Sequence, residues 1–385
     1  MASSLTNTQA RRAILLGLAG AALALAGCQT GRQGPPPPSG PLPGPALPLP
    51  PGETPKNGVA VIVPISGSDG PVGTSIANAA RLALAETGDK TIRLSVYDSA
   101  AAGGAAAAAN RAIADGNRLI LGPLLAEDVR AAAPVARRAD VPVIAFTNDS
   151  SAAGNGVFVM GLSPDQSINR AVAFARGRGS ARFAALVPTG LYGQRAAQAL
   201  LGAVRRHGGS VAAIENFNRT PAAAGVAGRN LNARGAFDAV LIADAGRIAA
   251  AAGSAIKVGP RRIGTELWAN DKTLGRTPAL RGAWFAAAPD AQFDRMATRY
   301  RARYGKTPYR LASLGYDAVL LAVRSARDWP IGRPFPARSL IERDGFGGVD
   351  GSFRFGRNGV AERLLEVRQV TANGSIVVSP APAAF

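Results

Sequence analysis

From Gly58 onward, short apolar runs alternate with stretches in which apolar residues recur every three to four positions. The runs are rich in β-branched residues and lack strict polar alternation, as strands buried on both faces do. VAVIVPI (Val59–Ile65) is the first and TIRLSVYD (Thr91–Asp98) the second. Helices are expected over Ile76–Thr87, over the Ala-rich segment ending at Ile113, and around Asp128–Arg138, the last flanked by the strands RLILGP and VPVIAF. FAALVP, SVAAIENF, DAVLIAD, RRIGTEL and RGAWFAAAP continue the series. Repeated βα units imply open parallel sheets with right-handed crossovers. More than eight strand candidates imply two sheets, hence two lobes, and 385 residues suffice for both cores.

The first 57 residues are patterned differently. Arg11 and Arg12 precede an apolar run, Ala13–Gly27, too short for a spanning helix and readable as an export signal. Leu25-Ala26-Gly27-Cys28 resembles the bacterial lipoprotein lipobox, which implies cleavage before Cys28 and acylation of its thiol as a membrane anchor. Gln29 follows in place of Asp, which favours the outer membrane over the inner. The Arg pair loosely resembles a twin-arginine signal, with Sec export as the default. From Gly31 to Asn57 the proline density excludes helix and sheet and favours polyproline II. At about 3.1 Å per residue, roughly 25 such residues span some 70–80 Å. The expected division is 1–27 signal peptide, 28–57 lipidated Cys and tether, 58–378 folded domain and 379–385 tail.

Composition narrows the chemistry. Cys28 is the single cysteine and His207 the single histidine, which excludes an internal disulfide, cysteine-cluster sites and multi-His metal sites. No metal and no cofactor is expected. The formal charge is +19, and apart from Lys56, Lys90, Lys257, Lys272 and Lys306 the basic residues are Arg. They are scattered singly or in pairs such as Arg205-Arg206, without a basic stripe interleaved with aromatics, so nucleic acid is not the expected partner. A basic surface facing anionic lipid or an acidic wall polymer fits, as does plain composition bias. HExxH, GxSxG and the phosphate-loop pattern are absent, and His207 in RRHGG reads as a cation at a helix C-terminus. An enzyme is therefore not expected. Gly67, Gly70 and Gly73 lack the dinucleotide spacing and read as a flexible loop at a strand's carboxyl end, where ligands of open α/β sheets sit. Ser66 in that loop is a candidate contact.

Five segments in order resemble the leucine/isoleucine/valine-binding type of periplasmic binding protein. They are VAVIVPISGSDGPVGTSIANAARLAL, IADGNRLILGPLLAEDVRAAAPVARRADVPVIAF, TGLYGQRAAQALLGAVRRHGG, RYGKTPYRLASLGYDAVLLA and DGFGGVDGSFRFGRNGV. The resemblance implies a class I binding-protein fold: two α/β lobes, three crossovers, and a ligand held in the cleft by hinge closure. The crossovers are expected near Leu162–Asp165, Phe285–Pro289 and Gly345–Gly351. The first lobe is then about 58–162 with 290–345, and the second about 166–284 with 352–378.

In that family a free amino acid is held by hydroxyl and backbone groups at its carboxylate and by an acid at its ammonium. Thr147 and Asn148 offer such groups here, with turn formation as the competing role. Tyr192 matches the family's cleft Tyr, or packs. Asp244 stands where an acid could meet an ammonium, or caps the following helix. Leu124-Leu125 occupies a place where the family usually offers Ser or Thr. The segment GTELWANDKTLGRTPALRGAWFAAAPDAQFDRMATRYRARYG resembles the penicillin-binding protein activator branch of the same fold. Those members are outer-membrane lipoproteins that stimulate a peptidoglycan synthase by contact. Thr265, Trp268 and Asn270 match that branch, Trp268 being either a cleft residue or core. Two roles follow: an activator of peptidoglycan synthesis whose partner is a penicillin-binding protein, or a substrate-binding lipoprotein that delivers an amino acid or related solute to an ABC permease.

Overall fold

In the computed structural model, which describes residues 55–385 apart from Lys272, every residue of the first strand is buried. The lipidation candidate Cys28, the signal peptide and nearly all of the tether lie outside the described residues. Strands β1 (Asn57–Val63), β2 (Ile92–Asp98), β3 (Asn117–Leu121), β4 (Val143–Ala145) and β5 (Val157–Val159) form a parallel sheet ordered β2-β1-β3-β4-β5. Helices α1 (Gly70–Thr87), α2 (Gly104–Ala114) and α3 (Ala126–Arg138) connect its first four strands. The apolar run of β1 serves two faces. Val59, Val61 and Val63 join one core with α1, and Ala60 and Ile62 join another with α2 and α3.

The second lobe repeats the plan. Helices α4 (Pro164–Gly177), α5 (Leu191–Arg206), α6 (Pro221–Asn232) and α7 (Gly246–Ala255) flank β6 (Arg182–Pro188), β7 (Ser210–Phe217), β8 (Ala239–Ile242), β9 (Arg261–Gly264) and β10 (Trp284–Ala287). Along β6, Phe183, Ala185 and Val187 face α4 and α5, and Ala184 and Leu186 face α6 and α7. After β10 the chain returns to the first core through α8 (Ala291–Tyr304) and α9 (Ala312–Ser325). A small antiparallel sheet follows, β11 (Phe346–Gly348), β12 (Gly351–Phe355) and β13 (Ala361–Arg363). Finally β14 (Glu366–Thr371) and β15 (Gly374–Ser379) add antiparallel to the second sheet, ordered β15-β14-β10-β9-β8-β6-β7.

Three local features differ from the sequence reading. The glycines after β1 do not form one flexible loop, because α1 begins at Gly70, with Pro71 in its first turn. Gly73 lies inside it, where a Cβ would stand 1.7 Å from the Pro64 carbonyl oxygen. Gly193 repeats this contact in the second lobe, 1.7 Å from the Pro188 oxygen. Both helices thus start flush against a strand end. The third change of core falls at Leu364, later than Gly345–Gly351. Phe353, Phe355 and Ala361 are buried in the first-lobe core, and Leu365 is the first residue of this stretch in the second. His207 caps α5, but burial, Arg206 and Arg176 lower its pKa, so the ring is neutral at pH 7.

Candidate functional site

The carboxyl ends of both sheets' strands carry the polar residues the sequence singles out. In the first lobe, Ser66 donates to Asp98 Oδ2 (2.7 Å), and Asp98 also accepts from the Ile65 and Ala100 amides. Ser66 therefore belongs to a braced turn. Thr147 is buried, and its Oγ1 accepts from the Asp149 amide (3.1 Å), which is turn chemistry. Asn148 is exposed. Leu124 packs against the first core and Leu125 precedes α3, so neither gives a side-chain hydrogen bond.

Asp149, which sequence reasoning passed over, is the charged centre of this side. It is 1% exposed and lies between two guanidinium groups, Arg130 of α3 and Arg195 of α5. Arg195 reaches it from the other lobe at 2.6 Å. This ion pair joins the two lobes. Burial works against the charge, yet the Ser151 hydroxyl and Arg195 hold the Asp149 pKa at about 2. Arg195 sits one turn after Tyr192 on the same helix face, the one sequence signal that could have marked it.

In the second lobe, Tyr192, Thr265 and Glu266 come together. The Tyr192 hydroxyl is 2.9 Å from Thr265 Oγ1 and donates to Glu266 Oε1 (3.0 Å). Glu266 Oε2 is enclosed without a hydrogen-bond partner. Burial raises the Glu266 carboxyl to about 7, although the Tyr192 bond works the other way. Burial and Glu266 push the Tyr192 phenol upward, so it remains a donor. Thr265 also caps the short 3-10 turn Glu266–Asn270, its Oγ1 accepting from the Leu267 amide.

Asp244 is buried and already paired. Arg219 Nε and Nη2 hold its two oxygens at 2.9 and 3.1 Å. This bidentate, charge-assisted fork is a strong and directional way to hold a carboxylate. It leaves Asp244 neither capping α7 alone nor free for an ammonium. Trp268 is core: it is 1% exposed, packs against Phe285 with ring centroids 6.1 Å apart in a tilted arrangement, and donates from Nε1 to the Asp244 carbonyl (2.7 Å). It does not line the cleft. Gly264 makes the room, since a Cβ there would meet the indole at 2.1 Å. Among the described residues no cluster of three His, Cys, Asp or Glu could hold a metal, and no helix is long and apolar enough to cross a membrane.

A family model described as periplasmic binding protein matches residues 58–375. A curated relative, an uncharacterised protein of Rickettsia prowazekii (strain Madrid E), is 25% identical over 174 residues, which are 45% of this chain and 47% of the relative. The aligned part of the chain thus spans about half the length of that relative. Among solved structures, a protein of Rhodospirillum rubrum assigned to a branched-chain amino acid ABC transporter has a TM-score of 0.72 at 22% identity, covering 84% of this chain and 100% of that one. The leucine-binding protein LivK of Thermotoga maritima MSB8 gives 0.64 at 20%, covering 85% and 99%. An ABC transporter substrate-binding protein of Desulfitobacterium hafniense in complex with Leu gives 0.64 at 18%, covering 84% and 100%. At these identities the likeness is one of fold.

Proposed function

The chain belongs to the periplasmic binding protein family, and we propose that it uses this fold to bind a protein, as a lipid-anchored activator of a penicillin-binding protein. The family places it in the periplasm. The lipobox-like Cys28 and Gln29 support an anchor in the outer membrane, and the proline tether would give the domain reach toward a synthase at the inner membrane. The observation that carries the reading is the charge state of the cleft. Its buried carboxylates, Asp149 and Asp244, are each held by guanidinium groups. A free amino acid would have to displace one of them to place its ammonium, and Leu124-Leu125 offers its carboxylate no hydroxyl. The incoming ammonium would only exchange one charge-assisted pair for another, which leaves little net gain to drive binding.

The second reading, a solute receptor for an ABC permease, is favoured by the neighbours, which include a complex with Leu. Asp149 is shared by Arg130 and Arg195, and the one cation in excess there would then suit an anionic solute better than a zwitterion. Calorimetry of the purified chain against leucine, isoleucine, valine and aromatic acids separates the two. No binding to about 1 mM is expected. A Kd of about 1 μM for any of them, equivalent to about −8 kcal/mol, would establish the receptor reading instead.

A further inference from the structure

A pocket of about 850 Å³ opens on the first lobe between the loop after β1, the start of α1 and the α8–α9 connection. All its lining residues belong to the first lobe, and of the sequence candidates only Ser66 is among them. Tyr300, Tyr304 and Tyr309 supply aromatic surface, Ser66 and Thr74 supply hydroxyls, and Lys306 is the one charged side chain lining it.

The wall is rigid. Tyr300 is buried, its ring 4.7 Å from that of Tyr304. The Tyr304 hydroxyl donates to the Asn78 carbonyl (3.0 Å), and Asn78 Nδ2 donates to the Tyr300 hydroxyl (3.4 Å). The Tyr309 amide donates to Ser75 Oγ (3.0 Å), which fixes its backbone, while its side chain is 50% exposed. An exposed aromatic on an anchored backbone beside hydroxyl groups matches a sugar ring, which has an apolar C–H face and a polar edge. The lone ammonium, near the α1 N-terminus, adds a preference for an acid. A zwitterionic amino acid does not fit, because no carboxylate lines the pocket to meet its ammonium.

We infer that this first-lobe pocket binds a sugar carrying a carboxylate, either free or as a unit of a glycan strand. None of the carboxylates and arginines that carry the synthase reading lines this pocket, so it stands or falls independently of that reading. The test uses the full chain in detergent, saturation-transfer NMR and calorimetry, with N-acetylmuramic acid as the acidic probe and N-acetylglucosamine as the neutral one. The acidic sugar should bind with a Kd of about 0.1–1 mM, and the neutral one at least about fivefold more weakly. Tyr309→Ala should weaken both at least about tenfold, and Lys306→Ala should abolish the difference between them. Both side chains are exposed, so thermal melts should match the parent. Co-sedimentation with purified glycan strands identifies the source: retention that Tyr309→Ala abolishes assigns a glycan ligand, and free-sugar binding without retention assigns a free acid. Absence of saturation transfer from either sugar, or binding unaffected by Tyr309→Ala, overturns the proposal.

Discussion

Glu266 is a carboxyl that the fold keeps protonated near neutrality. Its pKa is raised by burial from about 4.5 to about 7, so the folded state holds a proton that the unfolded state releases. The stabilisation is full below pH 4.5 and is lost as pH rises toward 7. Glu266→Gln should flatten this part of the melting-temperature profile and preserve the bond from Tyr192. Differential scanning at pH 5 and pH 7.5 checks it, and an unchanged slope would point to another group. Glu266 was overlooked because in GTELW it reads as an ordinary helix-start acid, and the closure of Tyr192 over it spans 74 residues. Tyr192 and Thr265 were legible only through resemblance, Tyr192 to the binding-protein family's cleft Tyr and Thr265 to the activator branch. Asp244 was legible as an acid but not as a paired one, since Arg219 lies 25 residues upstream in a different loop. Trp268 shows the same limit. A Trp on a turn reads equally as a contact or as core, and the small residue that settles it, Gly264, has its effect only through the folded geometry.

At the scale of elements, the parallel strands of both lobes were legible because their apolar runs are continuous and their faces are both covered. The short strands were not. β5 is three residues long, and β11 and β13 lie in Gly-rich and polar sequence that carries no period. Their place is set by Phe353 and Phe355, whose burial in the first core draws the segment back across the expected boundary. The paired contacts of Gly73 with Pro64 and Gly193 with Pro188 define how α1 and α5 seat against the strands they follow. A methyl group at either position meets backbone rather than a movable side chain. Gly73→Ala and Gly193→Ala should each destabilise by about 1–3 kcal/mol. Gly202→Ala, on the same helix as Gly193 with open space around it, should be neutral or slightly stabilising. Equal denaturation midpoints for Gly193→Ala and Gly202→Ala would contradict the seating.

At the scale of the molecule, arginines stitch the three crossovers. Arg363 donates to the Met160 carbonyl at the first (3.0 Å), and Arg368 to the Ala288 carbonyl at the second (3.2 Å). Asp290 is paired with Arg368 and lies 3.9 Å from Arg310. Arg195 and Asp149 add an ion pair between the lobes, with Arg195 also within electrostatic reach of Asp165 in the first crossover. Arg195→Ala should destabilise by about 1–3 kcal/mol and increase the radius of gyration in small-angle scattering, whereas Arg205→Ala, exposed on the same helix, should do neither. Because the Asp149 pKa is lowered to about 2, its contribution is present above the ordinary carboxylate range and lost as pH falls from about 4 toward 2. The direct measurement is crosslinking in intact cells, followed by purification of the full chain and identification of what is bound to it. Recovery of a bifunctional peptidoglycan synthase is the expected result; recovery of ABC permease subunits without a synthase would contradict it.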